Sequence, residues 1–273
     1  MLHRKHNPLP GFGLTLGFTL FYLSVIVLIP LGALILRASD ISPADFWALA
    51  TKERSLAALQ LTFGASLVAA ALNAVFGTLL AWVLTRYEFF GRRLLDALVD
   101  FPFALPTAVA GMTLATLFAP EGWLGRFLVP LGIRGAYSKL GVVIALTFTG
   151  LPFMVRTLQP VIENIEREVE EAAATLGADR GATFCRVIAP MLLPPILTGF
   201  ALSFGRAIGE YGSVVFISGG LKDTEIAPYL IVMRLEEYDY PGAMALAVIL
   251  LVVSFTLLAI INFLERWVSR FER

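Results

Sequence analysis

Charge, cysteine and histidine are all scarce in this chain. Charged residues make up 15% of its 273 residues, whereas soluble domains carry about 25%, so the chain cannot clothe a large water-facing surface. The 21 basic and 21 acidic residues cancel, which removes the basic footprint of a nucleic-acid partner. The one cysteine, Cys185, has no partner for an internal disulfide and reads as a small buried apolar residue. With two histidines, His3 and His6, no His/Cys metal constellation can be assembled. The apolar stretches hold neither paired carboxylates nor a Ser/His dyad, so an intramembrane enzyme is disfavoured. No G-x-x-x-x-G-K-[ST] phosphate loop occurs, so any ATP-driven work falls to another polypeptide. Internal repeats and low-complexity tracts are absent as well.

Apolar sequence is what the chain has in abundance: 58% of residues are hydrophobic. They form six runs near the length of about 20 residues that crosses a bilayer: 12–36, 57–84, 98–118, 141–161, 192–217 and 243–264. The first follows a basic start, His3-Arg4-Lys5-His6. It exceeds the apolar core of a signal peptide and lacks a small-residue cleavage site, so it reads as an uncleaved span bent at Pro30. Basic residues number 12 on the side that holds both termini and the polar segment 163–190, against eight on the other side. The positive-inside rule puts the first set in the cytoplasm. The expected organisation is a first span with its loop over 1–56, a transmembrane core over 57–265, and a short cytoplasmic tail over 266–273.

The segment from Glu163 to Pro190 is a polar island between two membrane-length runs. Ile165, Val169, Ala172, Ala173 and Leu176 fall at helical spacing on one face, while Glu163, Glu166, Glu168, Glu170 and Glu171 crowd the others. Gly177 sits where a helix ends in a left-handed residue. Asp179 can cap a second turn carrying Phe184, Val187 and Ile188, which Pro190 is expected to stop. The predicted unit is a helix–Gly–helix hairpin with an apolar stripe and an acidic border. That border argues against a helix resting on anionic lipid, where Lys/Arg-rich faces are favoured.

Glu171-Ala172-Ala173, three residues, Gly177, nine residues, then Val187-Ile188-Ala189-Pro190 resembles the EAA signature of ABC-importer permeases. Ala189 stands where that family usually has Leu, and Val187 where it often has Ile. The resemblance implies a six-helix, all-α type I ABC-importer permease fold. It also makes this segment a coupling hairpin, with Glu170, Glu171, Ala172, Ala173, Gly177 and Pro190 docking an ATPase.

The third run, PFALPTAVAGMTLATLF, has prolines four apart, Pro102 and Pro106, each removing a helical hydrogen bond. Freed carbonyls in lipid need internal partners, so the segment belongs against other helices or a wet pathway. In the fifth run Arg206 and Glu210 lie one turn apart on one face. Counted from Ile196 at 1.5 Å per residue, Arg206 falls about 15 Å along the helix, near the middle of a bilayer core of about 30 Å, where an ionisable residue marks a functional site or a self-satisfied ion pair locking the helix. Gly205, Gly209 and Gly212 flank the pair and suit either a gate or tight packing. The acidic loop residues Asp223, Glu225, Glu236, Glu237 and Asp239 read as an exposed surface.

The segments LTRYEFFGRRLLDALVDFPFALPTAVAGMTLATLF, FTGLPFMVRTLQPV, SFGRAIGEYGSVVFISGG and RLEEYDYPGA are similar to the T-subunit permeases of bacterial sulfate/thiosulfate ABC importers. The departures are local: Phe90 replaces a common proline, and Gly220 an Asn or Asp. The resemblance implies a W-type second permease, two ATPase subunits that bind ATP and magnesium, a periplasmic sulfate/thiosulfate-binding protein, and residence in the inner-membrane lipid. This chain would hold no cofactor of its own. Arg206, Glu210, Pro102 and Pro106 are the candidate substrate path or gate. Molybdate or tungstate import by the same mechanism is the nearest alternative. An ATP-independent secondary transporter or channel is a further one, but it would leave the acidic hairpin without a task.

Overall fold

The computed structural model describes residues 11–268; the basic cluster His3–His6 and the end of the tail lie outside them. Every regular element among the described residues is helical. Five helices are long and apolar enough to cross a membrane: Phe12–Ser39 (α1), Glu53–Arg86, Lys139–Glu163, Arg180–Ile208 and Tyr240–Glu265. A short helix, Pro43–Ala50 (α2), follows α1 and is started by Ser42, whose hydroxyl accepts from the Asp45 amide at 3.1 Å. In α1 a wider, π-helical turn at Ser24–Leu28 ends two residues before Pro30. It gives the proline ring the room that a regular turn would deny it. Most apolar side chains of α1 remain exposed on the chain's own surface.

The core is built on Glu53–Arg86 (α3). At 1.5 Å per residue its 34 residues reach about 51 Å, well beyond a hydrocarbon layer of about 30 Å. Its buried positions are mostly small: Ala58, Ala65, Ala69, Ala70, Gly77 and Ala81. Lipid tails are as apolar as leucine, so helices in a membrane associate through close packing rather than water exclusion, and small residues permit that approach. Beyond α3, Gly91 opens a short helix, Arg92–Val99 (α4).

The third expected span is not one helix. A single turn at Phe101–Ala104 ends at Leu105, whose extended backbone suits a residue before proline, and Thr107–Phe118 (α5) begins after Pro106. With 12 residues α5 reaches about 18 Å, too short to cross alone.

The next long helix, Lys139–Glu163 (α6), packs along α3 and contains Pro152 and Pro160. After the small helix Arg167–Thr175 (α7) comes Arg180–Ile208 (α8). Met154 of α6 is fully buried between two glycines. A Cβ on Gly77 would stand 2.7 Å from its Cγ, and one on Gly199 of α8 2.6 Å from its sulfur. The three helices α3, α6 and α8 therefore meet around one thioether.

The fifth expected span is broken too. Helix α8 ends at Ile208, and after Gly209–Tyr211 a separate helix, Gly212–Ser218 (α9), packs against α5. Pro190 was expected to stop a helix and instead lies in its first straight turn. A π-helical turn at Phe184–Ile188 precedes it, so the helix passes the proline. The last helices among the described residues are Ala227–Glu236 (α10) and Tyr240–Val268 (α11).

Candidate functional site

The polar island folds as a hairpin, with its first helix four residues shorter at the start than its periodicity suggested. Glu163 is the last residue of α6, and α7 begins at Arg167. Gly177 takes the left-handed conformation (φ 84°), the Ala178 amide donates to Ala173 O at 3.0 Å, and Asp179 Oδ1 accepts from the Ala182 amide at 2.6 Å. Of the expected apolar stripe, Ile165 is buried with Ile188 and Leu192 near the ends of α3 and α6 and Ala173 is buried too, while Ala172 and Leu176 face outward. Glu171 and Pro190 are exposed as well. Cys185, expected to be buried, is exposed on the second arm.

Glu170 turns inward, and its carboxylate meets Arg86 Nη2 at the end of α3 at 3.1 Å. The same nitrogen donates to Ile165 O at 3.0 Å. The guanidinium stands 5.3 Å above the Trp82 ring, which makes a T-shaped contact with Phe184. Between these groups lies a cleft of about 320 Å³ lined by Trp82, Arg86, Tyr87, Glu170 and Glu171.

The two broken spans come together elsewhere. A Cβ on Gly212, the first residue of α9, would overlap the Thr107 hydroxyl at the start of α5; one on Gly111 would overlap the Ser213 backbone. The break at Leu105–Pro106 thus lies against the break at Gly209–Tyr211. Pro102 is buried in the preceding turn, where Phe103 meets Phe153 of α6 edge-on.

Glu210 is 1% exposed and pairs with Arg206 at 2.5 Å. Its other oxygen accepts from the Ser213 amide (3.0 Å) and hydroxyl (2.8 Å). One carboxylate thereby closes the end of α8 through Arg206 and caps the start of α9. Arg206 keeps 32% of its side chain exposed. It lies in the last turn of α8, beside a helix break, rather than inside a continuous span.

Other connections had no local signature in the sequence. Near the hairpin, Arg156 of α6 bonds Asp96 and Asp100 at 2.6–2.8 Å. Gln159 donates to Asp96 at 3.0 Å; that bond, followed by the Arg156 charge, holds this carboxyl below its ordinary value. At the opposite end Glu225, expected on an exposed surface, is buried in a two-bond pair with Arg54 (2.8 Å each). Arg234 donates to Ser55 and to Gly242 O at 2.7 Å. Side-chain partners 56 to 179 residues apart leave no periodic signal; only the Asp96–Asp100 spacing of one turn hints at a shared target.

This arrangement, helical halves meeting at a pair of breaks with an amphipathic hairpin held at one end, defines the membrane-embedded subunit of an ABC importer. The fold matches a chain of a bacterial alginate ABC transporter solved in complex with an alginate pentasaccharide-bound periplasmic protein (TM-score 0.77, 18% identity, 93% of each chain covered). Residues 73–271 match the binding-protein-dependent transport system inner membrane component model, and the chain belongs to that family. It is 51% identical over 256 residues to the sulfate transport system permease protein CysT of Synechococcus elongatus, covering 93% of this chain and 92% of the relative. Against the protein of the same name from Escherichia coli the identity is 48% over 266 residues, covering 97% and 95%.

Proposed function

We propose that this chain is a permease subunit through which an ATP-driven importer moves sulfate or thiosulfate across the bacterial inner membrane. The observation that carries this reading is identity near one half, along more than nine-tenths of the chain, with sulfate permeases from distant bacteria. The working assembly adds a W-type permease, two ATPase subunits holding ATP and magnesium, and a periplasmic binding protein that selects the anion. Closure of the ATPases displaces the hairpin of Glu170, Glu171, Ala172, Ala173 and Gly177, and the spans change from inward to outward access. The chain performs no bond chemistry.

Both termini and the hairpin face the cytoplasm in this reading. Arg206 serves the ion path: its exposed third attracts a dianion, and Glu210 keeps the site from holding the ion too tightly to release it. The test is to purify the assembled complex, reconstitute it with its binding protein, and follow labelled sulfate. ATP-dependent uptake in competition with thiosulfate is expected. Uptake of molybdate but not sulfate would refute the substrate, and flux through this chain alone would refute the ATP-driven class. Cysteines at Lys139 and Lys222, both exposed, should react from outside intact cells after Cys185 is replaced by Ser, and one at Arg180 only after lysis.

A further inference from the structure

Arg86 lies where the longest helix of the core meets the hairpin, and nothing in the EAA signature includes it. Its side chain is 15% exposed and makes three kinds of contact, two with elements far away in sequence and one with its own helix. One is the ion pair to Glu170 of α7 at 3.1 Å, with Glu170 38% exposed. The second is the bond to Ile165 O at 3.0 Å, in the turn that joins α6 to α7. The third is the Trp82 face at 5.3 Å, which is itself braced by Phe184 of the second arm. A guanidinium suits this position because its planar fork can serve a carboxylate and a carbonyl while stacking on an indole. Its Nε is buried with no partner among the described residues. A buried donor left open is costly, so the residue is held there by what its other nitrogens and its plane engage.

From this geometry, and resting on the reading of 163–190 as the ATPase-docking hairpin, we propose that Arg86 is the positioning residue that couples the hairpin to α3. The first arm and the turn before it bear directly on this side chain, and the second arm bears on the Trp82 ring beneath it. A displacement of the hairpin therefore moves the end of α3 instead of only bending the hairpin. The apolar packing of Ile165 and Ala173 permits sliding, whereas the Arg86 contacts fix direction. Glu170 accordingly belongs to this chain's internal transmission, which leaves the exposed Glu171 as the carboxylate free for the ATPase.

The test uses the complete complex in proteoliposomes with its binding protein, comparing Arg86→Gln, Arg86→Lys, Glu170→Gln, and the exchange Arg86→Glu with Glu170→Arg. Three quantities are read: ATPase retained on purification, ATP hydrolysed per sulfate imported, and the mobility of a spin label on Cys185. Arg86→Gln should retain its ATPases, raise the ATP used per sulfate by about tenfold, and loosen the label. Arg86→Lys and the exchanged pair should recover part of the ratio. They cannot recover all of it, since lysine lacks the fork and a glutamate at 86 cannot donate to Ile165 O. An unchanged ratio in Arg86→Gln would overturn the proposal, as would loss of the ATPases from that variant, which would make Arg86 a docking residue. Failure of the docking reading appears separately, as ATPases retained by Glu171→Lys.

Discussion

Two arginine–glutamate pairs stand at two critical places in this molecule, and they are built differently. Arg206 and Glu210 are one turn apart on the same helix, and Glu210 is almost wholly buried. Arg86 and Glu170 are 84 residues apart by number and partly open to solvent. The first pair finishes one helix and starts the next, so it fixes a local shape. The second joins separately folded pieces, so it fixes a relation between them. A short-range pair can define a break in a span but cannot report movement elsewhere; a long-range pair at a surface can do so, at little cost in stability.

The strongest test of this difference is to remove each glutamate. Glu210→Leu strands Arg206 and strips the cap from Ser213 together, and loss of a buried partner costs about 3 kcal/mol or more. The yield of assembled complex should collapse, whereas Glu170→Leu should leave yield close to wild type, because pairs this exposed contribute about 0–1 kcal/mol. Equal yields would erase the distinction. Within the local pair, Glu210→Gln retains an oxygen for Ser213 and should assemble; combined with Arg206→Gln it separates scaffold from ion path. Wild-type sulfate flux in the double variant would make Arg206 scaffolding.

Next in size is Gly177→Val. Nothing lies within 4 Å of a Cβ there, so the φ of 84° is the sole obstacle. A β-branched residue held left-handed costs about 1–2 kcal/mol. The variant should insert normally and lose most of its ATPases on purification, and Gly177→Asn should be milder. Comparable in size is Gly77→Ala, whose methyl would press on Met154; overpacking costs about 1–3 kcal/mol. It should lower the melting temperature of the complex without changing which anion is carried.

The smallest effect concerns pH. Asp96 is held below its ordinary value in the folded chain, so its contribution is present at neutral pH and lost as pH falls through that lowered value. Stability should be flat from pH 7 to about 5 with respect to this group. Asp96→Asn should be indistinguishable from wild type only at the acid end.

The sequence revealed these regions unequally, and the reason is range. Gly177 and Asp179 could be read because caps and left-handed residues act within four positions. The Arg206–Glu210 pair could be read because one helical turn is a fixed spacing. The break at Gly209–Tyr211 could not: an Arg and a Glu one turn apart fit an unbroken helix as well as an interrupted one, and glycines serve packing as readily as interruption. Pro102 and Pro106 announced their break, but not that it would meet the other. Glu225 looked like one more loop acid because its partner, Arg54, is 171 positions away. Pro190 misled for a different reason. A proline stops a regular helix, and the turn before it is not regular.

That irregular turn, Phe184–Ile188, has a consequence for which changes in length the chain can absorb. A π-helical turn holds one residue more than an α-helical turn would. Everything after it, including Arg206, is therefore set about 100° around the helix axis from where an uninterrupted helix would put it. Removing one residue from this turn would leave composition, hydropathy and every named side chain nearly intact. It would also swing the whole inner face of α8 away from Met154 and aim it at lipid. Substitutions there are local events; a single deletion is a rotation of the span.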